Sequence, residues 1–309
     1  LIQLTTQIKV VAYLRGVPSP LRNTDKVEIL KNFIEGVKKN KDIGIAFDKM
    51  HLVPCDVAIM QGFVHEDSAR TPHLNLRRSI VNNRSNKHTI IVDSNLFNYA
   101  SGRDNKGYLR YSVDGIFPTT GYYFDRIKDK DRWQNILQES NIQLKPWRNK
   151  GNHILLCCQR NGGWSMKKLP VPDWIDQTVK KLRQYTDRPI LIRPHPGDKK
   201  SSQYLKKDKQ YRYSKNKCIK DDLYNAWATI TYNSSPGVAS AIEGIPVFVT
   251  DPKPKDSQAY DICNTNLEQI ENPQVYDREP WLEKLAMCHY KLSELNNGTA
   301  WSYMRTEFL

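Results

Sequence analysis

The chain has 309 residues, 39% of them hydrophobic and 26% charged, which is enough for two domains with substantial cores and too apolar for disorder as its main state. Lysine and arginine number 47 against 33 aspartates and glutamates, and the net charge of +14 attracts polyanions: nucleic acid, anionic lipid or polysaccharide, or phosphorylated small molecules. No apolar run approaches the ~20 residues of a membrane-crossing helix, no internal period marks a repeat protein, and the first ten residues lack the apolar core of an export signal, so a cytoplasmic location is expected.

In chain order, residues 9–14 (KVVAYL) are a β-rich run. Residues 27–38 have helical spacing, with Val27, Leu30, Ile34 and Val37 on one face and Phe33 beside them. Residues 43–47 and 57–60 are short apolar strands, 74–82 a helix, and 88–92 a strand ending at Asp93. Continuous apolar strands between helices imply a parallel sheet covered on both faces. Residues 128–151 are a transition, with a helix over 132–139 and a polar linker over 145–151 (KPWRNKG).

The alternation then restarts. Strands are expected over 154–158, over 189–192 ending in Arg193, over 227–232 ending in Asn233, and over 246–250. Helices are expected over 174–185, 235–243, 281–295 and 300–309. The pattern predicts an α/β fold of two Rossmann-like domains facing a cleft, 1–146 and 147–309, with the last helix free to pack back on the first domain.

The six cysteines (Cys55, Cys157, Cys158, Cys218, Cys263 and Cys288) have neither CxxC nor zinc spacing and are expected to be reduced core thiols. GxxxxGK[ST], HExxH and GxSxG are absent. The triplet Asp129-Lys130-Asp131 sits in a charged run, where its lysine would oppose a cation, so no metal site is expected.

Ligands of open α/β sheets bind beyond the carboxyl ends of the strands. Three polar loops follow apolar strands in the second half: 159–163, 193–198 and 233–237. Asn233 ends its strand, and Ser234 or Ser235 can cap the next helix, whose free N–H groups suit a phosphate or diphosphate; an ordinary N-cap reads the same way. His195 is held between two prolines, Arg193 offers a charged fork, and Arg160 and Glu243 are further donor-side candidates. In the first half a general base must be a carboxylate or histidine near the acceptor hydroxyl. Asp93 is the first candidate, Asp114 the second, and His65 with Glu66 and Asp67 the third. Tyr108, Arg110, Tyr111, Tyr122 and Tyr123 interleave aromatics with a cation, which suits stacking on a base or sugar and equally suits a core.

Arg193-Pro194-His195-Pro196, Thr231-Tyr232-Asn233-Ser234-Ser235 and Glu243-Gly244-Ile245-Pro246-Val247 resemble the donor half of GT-B glycosyltransferases of the capsule-polysaccharide type, including Kdo transferases. The segment 90–97 (IIVDSNLF) is similar to the acidic segment that supplies the base in that group, which carries over to Asp93. Residues 158–166 and 186–190 resemble glycosyltransferase-like proteins of large tailed phages; in T-even-like phages such enzymes glycosylate modified cytosines in the phage's own DNA. The likeness is good over the second half and loose over the first. Ala239 stands where many such donor domains carry Glu, leaving Glu243 for the ribose.

The resemblance implies an acceptor-binding first domain and a donor-binding second. It implies metal-independent, inverting transfer from a nucleotide sugar, with a UDP-sugar expected, and no further cofactor. The charge directs the acceptor expectation to hydroxylated or hydroxymethylated bases, such as hydroxymethylcytosine, in double-stranded phage DNA, flipped from the stack, which would place the enzyme in the host cytoplasm. The alternatives are a polysaccharide or lipopolysaccharide acceptor, and a nucleic-acid-binding α/β protein without transferase activity.

Overall fold

The computed structural model describes residues 6–100, 107–121, 124–126 and 128–307. The first half contains β1 (Lys9–Tyr13), α1 (Thr24–Lys39), β2 (Ile43–Phe47), β3 (Val57–Gln61), α2 (Pro72–Val81), β4 (His88–Asp93), β5 (Leu109–Val113) and α3 (Arg132–Glu139). Then follow β6 (His153–Cys157), α4 (Val171–Leu182), β7 (Ile190–Arg193), α5 (Ser201–Tyr204), β8 (Tyr211–Tyr213), α6 (Ile219–Leu223), β9 (Ala226–Thr231), α7 (Pro236–Ile242), β10 (Val247–Val249) and β11 (Cys263–Asn264). The chain closes with α8 (Glu279–Met287), β12 (His289–Tyr290), α9 (Leu292–Asn296) and α10 (Thr299–Arg305).

Two six-stranded sheets result, with orders β12-β5-β4-β3-β1-β2 and β11-β10-β9-β6-β7-β8. The second is parallel throughout. Every residue of β3 and β6 is buried, as strands covered on both faces require. In each sheet the chain first builds to one side of its opening strand and then crosses to the other. The switch points therefore lie between β1 and β3 and between β6 and β9, where open α/β sheets form their ligand crevices.

Two segments depart from the expected elements. Residues 109–113 form β5, antiparallel to β4, although they carry the buried Arg110. The helix expected over 281–295 is broken: His289 and Tyr290 pair with β5 as β12, so tertiary pairing overrides the apolar helical spacing. His289 is fully buried; its Nδ1 donates to the Leu285 carbonyl and its Nε2 accepts from Leu96 N. Burial pushes its pKa down to about 3, so the ring is neutral.

The chain end returns to the first sheet's helical layer. Helices α9 and α10 pack on α1. A Cβ on Gly36 would lie 2.1 Å from the Leu295 carbonyl oxygen, so this close approach needs glycine. The Trp301 ring meets Phe33 edge-on at 6.0 Å, and its Nε1 donates to Asp42 Oδ2 at 2.7 Å. Arg305 pairs with the same carboxylate at 2.6 Å, and Ile8 N donates to its Oδ1. The segment 145–151 is also pinned. Lys145 N donates to Ile242 O, Arg148 N to Gly244 O, and Arg278 stacks over Trp147 at 4.1 Å. All six cysteines are free thiols, and burial pushes the Cys55 thiol up to about 11 and Cys157 up to about 12.

Two stability effects follow from the Asp42 cluster. Trp301→Ala should lower unfolding stability by about 3–5 kcal/mol, measured by urea denaturation. Burial alone would raise the Asp42 pKa, but hydrogen bonds from Arg305, Ile8 N and Trp301 outweigh it and hold the carboxyl below its ordinary 3.8. Its contribution is thus present above pH 3.8 and lost as the pH falls through the lowered folded value, and Asp42→Asn should flatten that acid limb of the stability curve.

Candidate active site

Arg193 of β7 and Thr231 of β9 both lie opposite Cys157 of β6. The loops after β7 and β9 therefore start about 10 Å apart, with the β6 loop between them. Buried and half-buried polar groups join the three. Asp198 accepts from Asn161 N at 2.9 Å, Tyr204 OH at 2.5 Å and Lys200 N at 3.2 Å. Burial works against its charge, yet these hydrogen bonds keep the carboxyl below its usual range. Gln159 accepts from Asn233 N and donates to Ser165 Oγ. Asn233 Nδ2 donates to Asp251 at 2.7 Å and to Ser165 O. Asp251 is buried and takes both a 2.8 Å ion pair from Lys167 and a bond from Lys253 N. Lys167 has a left-handed φ of 48° and reaches Asp256 as well.

On this frame His195 and Arg160 come together. A Cβ on Gly197 would lie 2.7 Å from Arg160 Nη2 and 3.1 Å from the His195 ring, so both side chains flank a bare backbone. His195 Nδ1 accepts from Gly197 N at 3.0 Å, which puts the proton of the neutral ring on Nε2. Ser234 Oγ is buried with no hydrogen-bond partner among the described residues. Ser235 is exposed and has helical φ and ψ, and no side-chain cap bond forms at α7, so the expected serine cap is not made.

Three expected donor contacts are used otherwise. Arg193 is 9% exposed, pairs with the buried Asp222, and donates to the carbonyls of Asn216 and Lys217, so it braces the 214–222 segment under the loop. Asn233 is consumed by Asp251. Glu243, 2% exposed, accepts from Tyr99 OH at 3.0 Å and from Lys145 Nζ. The ribose contact expected of Glu243 is therefore replaced by a tie between the two halves of the chain. The reason is common to these groups: a buried charge or amide must be partnered, and the fold supplies partners beneath the loops.

A cleft of about 250 Å³ separates the halves, walled by Phe63, His65 and Asp114 on one side and Trp164, Lys167 and Asp256 on the other. His65 stacks on Trp164 at 5.3 Å with 15° between the planes, and Phe63 meets Trp164 at 5.0 Å. Thr119 Oγ1 donates to Lys255 O, and Gln258 Nε2 donates to Ile116 O, closing another side.

Of the candidate bases, Asp93 sits half-exposed at the carboxyl end of β4, held by Arg110 at 2.9 Å and by Ser94 N. Because β5 is antiparallel, Asp114 returns to the His88 end of β4, where it accepts from His88 Nδ1 and Thr89 N, both at 2.7 Å, with φ 60°. His65, Glu66 and Asp67 bring three ligand atoms within 4.8 Å, but both carboxylates are exposed, His65 Nδ1 already accepts from Asp67 N, and Lys168 lies 3.9 Å from Asp67. A cation there would compete with these contacts.

Among the described residues, the tyrosines of this group do not form a stacking surface. Tyr111 is 1% exposed against Phe33, Tyr108 bonds Glu139, and Tyr122 and Tyr123 lie outside the described residues. The cleft aromatics are Phe63, His65, Phe117 and Trp164. Their sequence signal is position: each comes in the loop after the carboxyl end of a strand.

No protein-family model and no curated protein sequence matches the chain. Solved structures do. Thermosulfurimonas dismutans KpsC, described as a beta Kdo 2,4 transferase, aligns at 13% identity with a TM-score of 0.56 over 92% of this chain and 91% of that one. A second KpsC structure from the same organism, described as a beta Kdo 2,7 transferase, aligns at 14% identity with a TM-score of 0.52 over 94% and 98%. The chain has the GT-B fold, two Rossmann-like α/β units facing a cleft.

Lys167→Met should strand Asp251 and cost about 3 kcal/mol in thermal or urea unfolding, with Lys167→Met combined with Asp251→Asn recovering most of it.

Proposed function

We propose that the protein is a glycosyltransferase that moves a sugar from a nucleotide sugar, a UDP-sugar being the expected donor, to an acceptor hydroxyl held by the first sheet. The observation that carries this reading is the convergence of the β6, β7 and β9 loops at the switch point of the second sheet, facing the first across the cleft of a GT-B fold. In it the donor's diphosphate lies against His195, Arg160 and the buried Ser234 hydroxyl. Asp93, positioned by Arg110, takes the proton of the acceptor hydroxyl. The hydroxyl oxygen bonds to the anomeric carbon as the bond to the phosphate oxygen breaks, and a single displacement inverts the centre. The charge left on the nucleotide falls to the Arg160 guanidinium and the fixed dipoles of His195 and Ser234, so the step uses no metal. Asp114, paired with His88, is the second candidate for the base.

The acceptor reading that the charge favours is a hydroxylated base in DNA. Beyond the net +14, Lys199, Lys200, Lys206, Lys207, Lys209 and Arg212 gather along α5 and β8, beside the His195 loop, with Asp208 as the acid among them. The likeness to structures described as Kdo transferases favours a second reading, an acidic glycan.

The decisive experiment measures nucleotide release and sugar transfer with a panel of UDP-, GDP- and CMP-linked sugars. Turnover with one donor is expected. His195→Ala should weaken donor binding about tenfold or more, and Asp93→Asn should lose at least about 100-fold in turnover while still binding donor. Failure of every donor to bind would overturn the reading, and full activity in Asp93→Asn would remove that residue as base. Duplex DNA binding that falls steeply with salt supports the DNA acceptor, whereas no duplex binding at low salt selects the glycan.

A further inference from the structure

The first sheet has a switch point of its own, between β1 and β3, and Arg77 of α2 lies there. Its Nε donates to the carbonyl of Gly16, just after β1, at 2.7 Å. Its Nη1 donates to the carbonyl of Phe63, just after β3, at 3.4 Å. Nη2 makes no hydrogen bond to any described residue. The residue is 7% exposed, yet no described carboxylate lies within ion-pair distance. The carboxylate whose field reaches it is Asp93, and that one is already paired with Arg110 at 2.9 Å.

Burial, then the fields of Arg77 and Lys26, lower the pKa of the His73 ring. Burial pushes the Arg77 guanidinium itself down to about 10, with Asp93 opposing. Glycine lets the chain turn this close to the guanidinium: at Gly62, where φ is 88°, a Cβ would lie 2.7 Å from Nη1 and 3.2 Å from Nη2. A buried cation without a counter-ion is destabilising unless an anion arrives to pair with it. Here it sits at the sheet edge where ligands of this architecture bind, and its neighbour Phe63 is part of the cleft wall.

We propose that Arg77 is an oxyanion subsite of the first sheet, taking a phosphate or carboxylate oxygen of the acceptor on Nη2 and so holding that molecule beside Asp93. That the anion belongs to the acceptor rests on the proposed transferase reading; that the site binds an oxyanion does not. A guanidinium suits this task because it stays charged when buried and offers its donors in a fixed plane.

The test titrates two probes, inorganic phosphate in one arm and glucuronate in the other, into the whole protein by calorimetry, with and without saturating UDP. Saturable binding of at least one probe is expected to persist with UDP present, the tighter probe naming the chemistry. Arg77→Gln should weaken it at least tenfold and Arg77→Lys several-fold, while UDP affinity stays as in the wild type. Should Arg77→Gln fail to fold, Arg77→Lys and the anion-induced shift of the Arg77 side-chain ¹⁵N signals in the wild-type protein decide the matter. Binding of neither probe, or equal binding in wild type and the Arg77 variants, overturns the proposal. Failure of UDP to bind, with Arg77-dependent anion binding intact, would instead count against the transferase reading alone.

Discussion

A parallel strand covered on both faces selects apolar side chains along its length and leaves charged ones to collect at and beyond its ends. That constraint organises this molecule. In β3 and β6 every residue is buried, and the polar residues gather in the loops that follow. The switch points then open gaps between adjacent carboxyl ends, because on either side the chain leaves in opposite directions. Two crevices result, one holding Arg77 and the other the Gln159–Asn233 junction.

Loops cannot hold a catalytic geometry by backbone alone, and here buried charges do it. Asp198 joins the β6 loop to the β7 loop, Asp251 gathers Asn233, Lys167 and Lys253, and Asp222 anchors Arg193. Each ion would be costly without its partner, so each loop has a narrow choice of conformation. The exposed Arg160 and the half-buried His195 are thereby presented on a rigid base. The same logic joins the halves: Glu243 is held by Tyr99 and Lys145, and Gln258 by the Ile116 carbonyl.

Much of the secondary structure was legible because its signal is local. The stripe of Leu30, Phe33, Ile34 and Val37 marks α1, and the unbroken apolar runs mark β1, β3, β4, β6 and β9 within a residue or two. β5 was not legible: its sequence alternates Arg110 and Ser112 with apolar residues, and both polar side chains are buried. Nor was β12, since a two-residue strand between helical patterns exists only because β5 offers an edge. Among the site residues, the loops bearing His195, Arg160, Ser234 and Asp93 could be found from their place after strands. The duties of Arg193, Asn233 and Glu243 could not, because which partner a buried polar group takes depends on segments far away in sequence.

The sequence by itself determined that two α/β units would form, that their polar residues would collect at strand ends, and that the surface would attract anions. Periodicity and net charge need no knowledge of contacts, so they survive as one-dimensional information. Only the tertiary structure decided which cations were paired inside the protein and which were not. Arg193 ends a strand and Arg77 lies within a helix, yet both come to the carboxyl edge of a sheet, and the fold brings Asp222 to the first and no described carboxylate within ion-pair distance of the second. That difference is set by where distant segments pack, and charge pairing acts over a few ångströms of space whatever the separation along the chain.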